Sequence, residues 1–315
     1  MYSIRPMIDC VYIAASKLDA RFTRICVASV RYFHSEIPIR LLVGDRLQRG
    51  LAHELRRSWG VQIADIPKGN YGWGLVKLEP LFGPPGERFL MLDSDTALTG
   101  PILDDWNDSD AAFLVDNEQY SEENIKLRYY DWRKVREVDP TAQPPLFVFN
   151  SGQWLGTSGV LRRDDFEPWL EWTLPRKLRH PEYFFPGDQG ILNYVLNQKV
   201  ILGELRVECR AIMRWPGYEL QGLDAKTVSE RAASPIIIHW AGMKKVRQRN
   251  MVGADLLSYF EDIYYQRLQF GRARRIVSNC QNALTHCVDG IRVRARLASR
   301  KFANRPLAKV LLRVN

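Results

Sequence analysis

The chemically most suggestive stretch is Phe89-Leu90-Met91-Leu92-Asp93-Ser94-Asp95, where two acids with period two follow directly on an apolar run. The run reads as a buried strand, so both carboxylates fall at its end. A solvated polar strand end is the ordinary explanation. The chemical one is a hard-cation site, because carboxylate oxygens suit Mg²⁺ and Mn²⁺, which usually bridge protein carboxylates to substrate phosphates. His239 follows a second apolar run, Ile236-Ile237-Ile238, and is either a structural imidazole or a third ligand. Two carboxylates with an imidazole fit Mn²⁺ better than Mg²⁺. Gly242, Lys244 and Lys245 come next. The glycine permits close backbone approach and the lysines bring point charges, a turn that could cradle phosphate.

Two further segments could bind a polar ligand. Asp188-Gln189 opens an expected helix over Gly187–Asn197, and Asp188 is either its N-cap or an acceptor for ligand hydroxyls. Asn150, in Phe149-Asn150-Ser151-Gly152, is either a turn former or a short amide at a strand end.

The elements that must position these residues alternate between two periods. Val11–Ala15, Ile39–Val43, Val61–Ile66 and Arg88–Leu92 read as strands. Arg21–Phe33, Leu47–Trp59 and Trp73–Phe82 read as helices between them. Near-continuous apolar strands alternating with helices imply a mostly parallel sheet covered on both faces. Ligands of such sheets gather beyond the carboxyl ends of the strands, where Asp93 and Asp95 fall. Phe113–Val115, Leu146–Phe149 and Pro235–His239 are expected as further strands, and the pattern from Ala254 onward is helical.

Composition narrows the classes. With 315 residues, 46% of them hydrophobic, the chain can bury a large α/β core, so disorder is excluded. The expected division is a catalytic domain over residues 1–250 and a basic helical region over 251–315. No apolar run reaches the roughly 18–20 residues of a membrane span. Five cysteines at 10, 26, 209, 280 and 287, with no Cys-x-x-Cys, favour reduced thiols in a cytosolic compartment. Residues 271–315 hold eleven Lys/Arg and one acid, Asp289, so a net charge of +9 leaves 1–270 at about −1. A nucleic-acid binder should carry the charge on its main domain, so nucleic acid is not an expected partner. Ile276, Val277, Leu284, Val288, Phe302 and Leu311 interleave with the arginines, as in basic amphipathic helices drawn to anionic membrane.

Taken in order, Asp93-Ser94-Asp95, Phe149-Asn150-Ser151-Gly152, Asp188-Gln189 with Ile191-Leu192-Asn193, and His239-x-x-Gly242-x-x-Lys245 resemble the family 8 glycosyltransferases. The resemblance covers roughly residues 10–250 and implies the GT-A nucleotide-diphospho-sugar transferase fold, with a Rossmann-like, mostly parallel mixed sheet. It implies Asp93, Asp95 and His239 as ligands of Mn²⁺ or Mg²⁺. It puts Ala14 and Ser16, at the end of the first strand, against the nucleotide base. Lys77 matches a lysine that family uses at the donor, Asn150 and Asp188 hold the donor sugar, and Gly242 and Lys245 hold the diphosphate. Gln189 then faces the reacting carbon. The implied activity is retaining transfer of a hexose from a UDP-sugar to a saccharide or lipid-linked acceptor. Cell-surface polysaccharide or lipopolysaccharide synthesis at the inner face of the membrane is the expected setting. Two alternatives stay open. One is a nucleotide-sugar-binding or membrane/nucleic-acid adaptor without turnover. The other is a nucleotidyltransferase, which should show a Gly-rich loop after the first strand, where Ser16-Lys17-Leu18-Asp19 has no glycine.

Overall fold

The computed structural model describes residues 7–244 and 246–281. In chain order the strands are β1 (Cys10–Ala15), β2 (Ile39–Val43), β3 (Gln62–Ile63), β4 (Arg88–Asp93), β5 (Thr96–Leu98), β6 (Phe113–Asp116), β7 (Gln153–Thr157), β8 (Leu170–Glu171), β9 (Lys177–Leu178), β10 (Val207–Arg210), β11 (Met213–Arg214) and β12 (Ile237–His239). Seven of them form one sheet in the order β10-β6-β7-β4-β1-β2-β3. β1 runs parallel to both β2 and β4, β2 to β3, and β6 to β10. Only β7 runs against its neighbours, β4 and β6. The sheet is therefore mixed and mostly parallel, as expected.

β1 and β4 are buried along almost their whole length, which is why their sequences are apolar without alternation. The helix Ala20–Phe33 buries every residue from Phe22 to Val30. The helix Leu51–Trp59 buries Leu51, Leu55 and Trp59, the spacing of one helical face. It starts after Gly50, four residues later than the periodicity predicts. The segment expected as a helix over Trp73–Phe82 is a 3₁₀ helix over Leu75–Phe82. Pro80 inside it has no N–H to give to an α-helical ladder, and the tighter turn needs fewer such bonds.

Leu146–Phe149 does not form the expected strand; β7 begins only at Gln153. Val148 makes a single antiparallel bridge to Glu118, its C=O accepting from Glu118 N–H at 3.3 Å, and the rest of the segment's backbone is bonded by two side chains of the helix Asp188–Ile201. Asn193 accepts from Phe149 N–H at 2.9 Å and donates to Phe149 C=O at 2.9 Å. One turn on, Asn197 accepts from Leu146 N–H at 2.7 Å and donates to Phe147 C=O at 2.9 Å. Buried backbone groups must find partners, and here side-chain amides replace a neighbouring strand.

A smaller sheet has the order β11-β12-β5, with β12 parallel to β11 and antiparallel to β5. Along the chain, one compact unit ends at Tyr264 and a second begins at Tyr265. Within the first, the part of the helix Ala254–Gln266 up to Tyr264 is tied by an Arg21–Glu261 ion pair at 3.0 Å and by stacking of Tyr264 on Trp59. In the second, residues 271–281 are helical. The rest of the basic tail, and Lys245, lie outside the described residues.

Candidate active site

Asp93 ends β4, and the turn Ser94-Asp95 leads straight into β5, which belongs to the other sheet. β12 pairs with β5 so that His239 stands opposite Thr96, and Trp240 N–H donates to Asp95 C=O at 2.8 Å. Backbone pairing thus carries an imidazole to the two acids across more than a hundred residues of chain. Donor atoms of Asp93, Asp95 and His239 lie within 4.8 Å of one another. His239 Nε2 is 3.6 Å from Asp95 Oδ1 and 3.9 Å from Asp93 Oδ2, beyond hydrogen-bond reach. Asp95 Oδ1 is buried with no hydrogen-bond partner. Buried polar atoms rarely stay unsatisfied, and three convergent O, O and N donors fit a divalent cation. Burial alone would raise the Asp95 carboxyl, but the His239 imidazole and the Lys244 ammonium outweigh it and hold it below the usual range.

Gly152 determines how closely this cluster packs. Its carbonyl accepts from Asp93 N–H at 2.6 Å. A Cβ on it would lie 2.2 Å from His239 Cε1 and 2.6 Å from Nδ1. The imidazole is seated in the space a side chain would fill.

Lys77 joins the cluster to Asp188 and Ser151. Its ammonium lies 3.1 Å from Asp93 Oδ1, 3.0 Å from Asp188 Oδ2 and 2.9 Å from Ser151 C=O. Its contacts are all to groups of the protein itself. Asp188 does not cap its own helix, since Gly187 is the N-cap residue; its carboxylate turns to Lys77 instead. Burial, opposed by Lys77 and reinforced by Asp93, pushes the Asp188 carboxyl up to about 6. Gln189 is held from three sides: its oxygen accepts from Asn150 Nδ2 at 3.1 Å and Ser151 N–H at 3.3 Å, and its nitrogen donates to Arg128 C=O at 2.8 Å.

These groups wall one cavity of about 580 Å³. Asp93, Asp95, His239, Lys77, Asn150, Asp188, Gln189 and Gly242 all line it, and so does Lys244, which pairs with Asp95 and Asp19. Ala14 and Ser16 are not part of this wall. Ala14 C=O accepts from Ser94 N–H, and Ser16 bonds to Asp19 through its N–H and hydroxyl. Sequence reading missed Glu118, Tyr120 and Trp215, which line the cavity too. The available signal for Glu118 was an acid two residues past a buried strand. Trp215 had none, because its place depends on β11 pairing with β12.

No protein-family model matches the chain, and no curated protein matches it by sequence. Solved structures do. The fold is that of the GT-A glycosyltransferases. The apo structure of WbbM, a bifunctional glycosyltransferase, superposes with a TM-score of 0.53 at 14% identity, over 84% of this chain and 50% of WbbM. The chain thus spans half the length of that protein. The galactosyltransferase LgtC, in complex with donor and acceptor sugar analogues, gives 0.53 at 16% identity over 81% of this chain and 94% of LgtC. An active-site mutant of LgtC gives 0.52 at 15% identity over 79% of this chain and 94% of that one.

Proposed function

We propose that this protein is a metal-dependent, retaining glycosyltransferase that moves a hexose from a UDP-sugar to a saccharide or lipid-linked acceptor. The observation that carries the reading is that one cavity is lined both by the Asp93/Asp95/His239 cluster and by Asp188, Gln189 and Asn150, with Lys77 bridging Asp93 to Asp188. That LgtC was crystallised with donor and acceptor sugar analogues supports the substrate class.

A divalent ion held by Asp93, Asp95 and His239 would neutralise the charge that builds on the leaving diphosphate. Lys244, with the Gly242 backbone, adds positive potential at the same end. Asp188 and Asn150 accept and donate hydrogen bonds to the sugar hydroxyls. Gln189, immobilised by its three contacts, turns its amide dipole to the electron-poor anomeric carbon. The bond from that carbon to the diphosphate oxygen breaks as a bond to the acceptor oxygen forms on the same face. The acceptor hydroxyl proton passes to the departing diphosphate.

Among the described residues no helix is long and apolar enough to cross a membrane. The proposed setting is the inner membrane face, with the catalytic region held there peripherally by the basic residues of 271–315 during cell-surface polysaccharide or lipopolysaccharide synthesis.

The deciding experiment is incubation with a panel of UDP-sugars and Mn²⁺, following free UDP, with proton NMR of the product. UDP release that Asp95→Ala abolishes, with the anomeric configuration kept, is expected. No release from any donor rejects the reading, and an inverted linkage rejects its stereochemistry.

A further inference from the structure

A second cavity, of about 620 Å³, adjoins the first, and Glu118, Tyr120 and Trp215 line both. It lies past the carboxyl ends of β6 and β11. β11 pairs with β12 so that Arg214 stands opposite Ile238, which brings Trp215 beside His239. The two rings stack, centroids 5.4 Å apart and 21° from parallel. Trp215 is therefore the partition between the candidate metal cluster and the second cavity.

The charge of that cavity is uneven. Asp116, Glu118 and Glu219 line it against a single cation, Arg214. Asp116 is engaged by the Ile212 and Met213 N–H groups at 2.9 and 3.1 Å, and Glu219 by Trp215 N–H at 2.8 Å. Glu118 differs from both in being held by two phenols, Tyr120 at 3.0 Å and Tyr129, and by no cation. A carboxylate oxygen has room for about two acceptor interactions, so Glu118 keeps lone pairs for a ligand hydroxyl or ammonium. Asn117, Gln119 and Gln221 add amides to the same wall. Carboxylates and amides around an aromatic partition suit a polyhydroxyl ring. An anion entering the same space meets three carboxyl groups against one guanidinium.

We propose that this second cavity is the acceptor subsite, that it takes a non-anionic saccharide, neutral or amino-bearing, and that Glu118 grips the acceptor beside the donor cavity. The assignment rests on the glycosyltransferase reading and narrows it: acidic sugars and sugar phosphates are excluded as the terminal acceptor residue.

The test uses the full chain with Mn²⁺ and whichever UDP-sugar it hydrolyses. Four soluble probes are added singly: an alkyl hexoside, an alkyl 2-amino-2-deoxyhexoside, an alkyl uronide and a hexose 6-phosphate. At least tenfold faster UDP release with one of the first two than with either of the last two is expected. Glu118→Gln should raise the acceptor KM at least tenfold and should narrow the preference against the uronide. Gln221→Trp, on the exposed outer wall, should raise the acceptor KM in the same way without touching Glu118. Equal use of all four probes, use of the anionic ones, or no acceleration by any overturns the assignment while donor hydrolysis still stands. Absence of donor hydrolysis itself rejects the underlying reading, and the acceptor subsite falls with it.

Discussion

The Lys77 ammonium lies 3.0 Å from Asp188 Oδ2 and also reaches Asp93 Oδ1 at 3.1 Å, so two acids from different elements share one buried cation. Burial alone would lower Lys77; the charges of Asp188 and Asp93 outweigh it, and the ammonium is held above its usual range. One positive charge between two acids leaves the more buried acid undercompensated.

That imbalance sets a pH limit. With its carboxyl pushed up to about 6, Asp188 is protonated below that pH and loses its charge toward Lys77 and toward donor hydroxyls. Turnover should therefore fall as pH drops through about 6 and level off above it. A rate profile from pH 5 to 8 checks this, and Asp188→Asn should be slow and lack that limb.

Lys77→Met should destabilise the fold by about 3–5 kcal/mol, because it strips the cation from buried carboxylates. Urea unfolding monitored by circular dichroism measures it. Lys77→Arg should recover only part of the loss, since a planar guanidinium cannot take the place of a compact ammonium among three close oxygens.

Gly152→Ala should leave the fold standing but displace His239, because the new methyl would meet Cε1 at 2.2 Å. Mn²⁺ at a hundred times its dissociation constant stabilises a folded protein by about 2.7 kcal/mol. The expected result is a Mn²⁺-dependent rise in melting temperature for the parent protein, absent in Gly152→Ala and in Asp95→Asn. No shift in the parent would argue against the metal.

Asn193→Ala should cost about 1–3 kcal/mol for each of the two Phe149 backbone groups it orphans. Neighbouring Asn150 should shift as well, lowering turnover. A lower urea midpoint at unchanged slope, together with reduced UDP release, is the expected pair of results.

The tail supplies the last expectation. Each Lys or Arg near an anionic surface contributes about 1 kcal/mol, weakened by salt. The full chain should float with acidic liposomes at low salt, and a chain truncated after Phe270 should not. Donor hydrolysis should survive the truncation, because every candidate site residue precedes it.

The amino-acid sequence alone determined the strands β1 and β4 and the acids that follow β4. Continuous burial on both faces writes itself as an unbroken apolar run, and a sheet's ligand edge lies where such a run stops. The helix that Asp188 and Gln189 open was legible too, as an apolar run starting after Gly187. Tertiary structure alone decided what those residues touch. Leu146–Phe149 has the composition of a strand, yet the amides of Asn193 and Asn197 take up its backbone bonds, and nothing within four residues announces that. Lys77 reads as a cation for a ligand, but its charge is spent on Asp93 and Asp188, which approach it from other elements. Glu118 and Trp215 reach the site through β6 and through the β11–β12 register. Hydrogen bonds and Coulomb forces act over a few ångströms of space, whereas local pattern reports only neighbours along the chain.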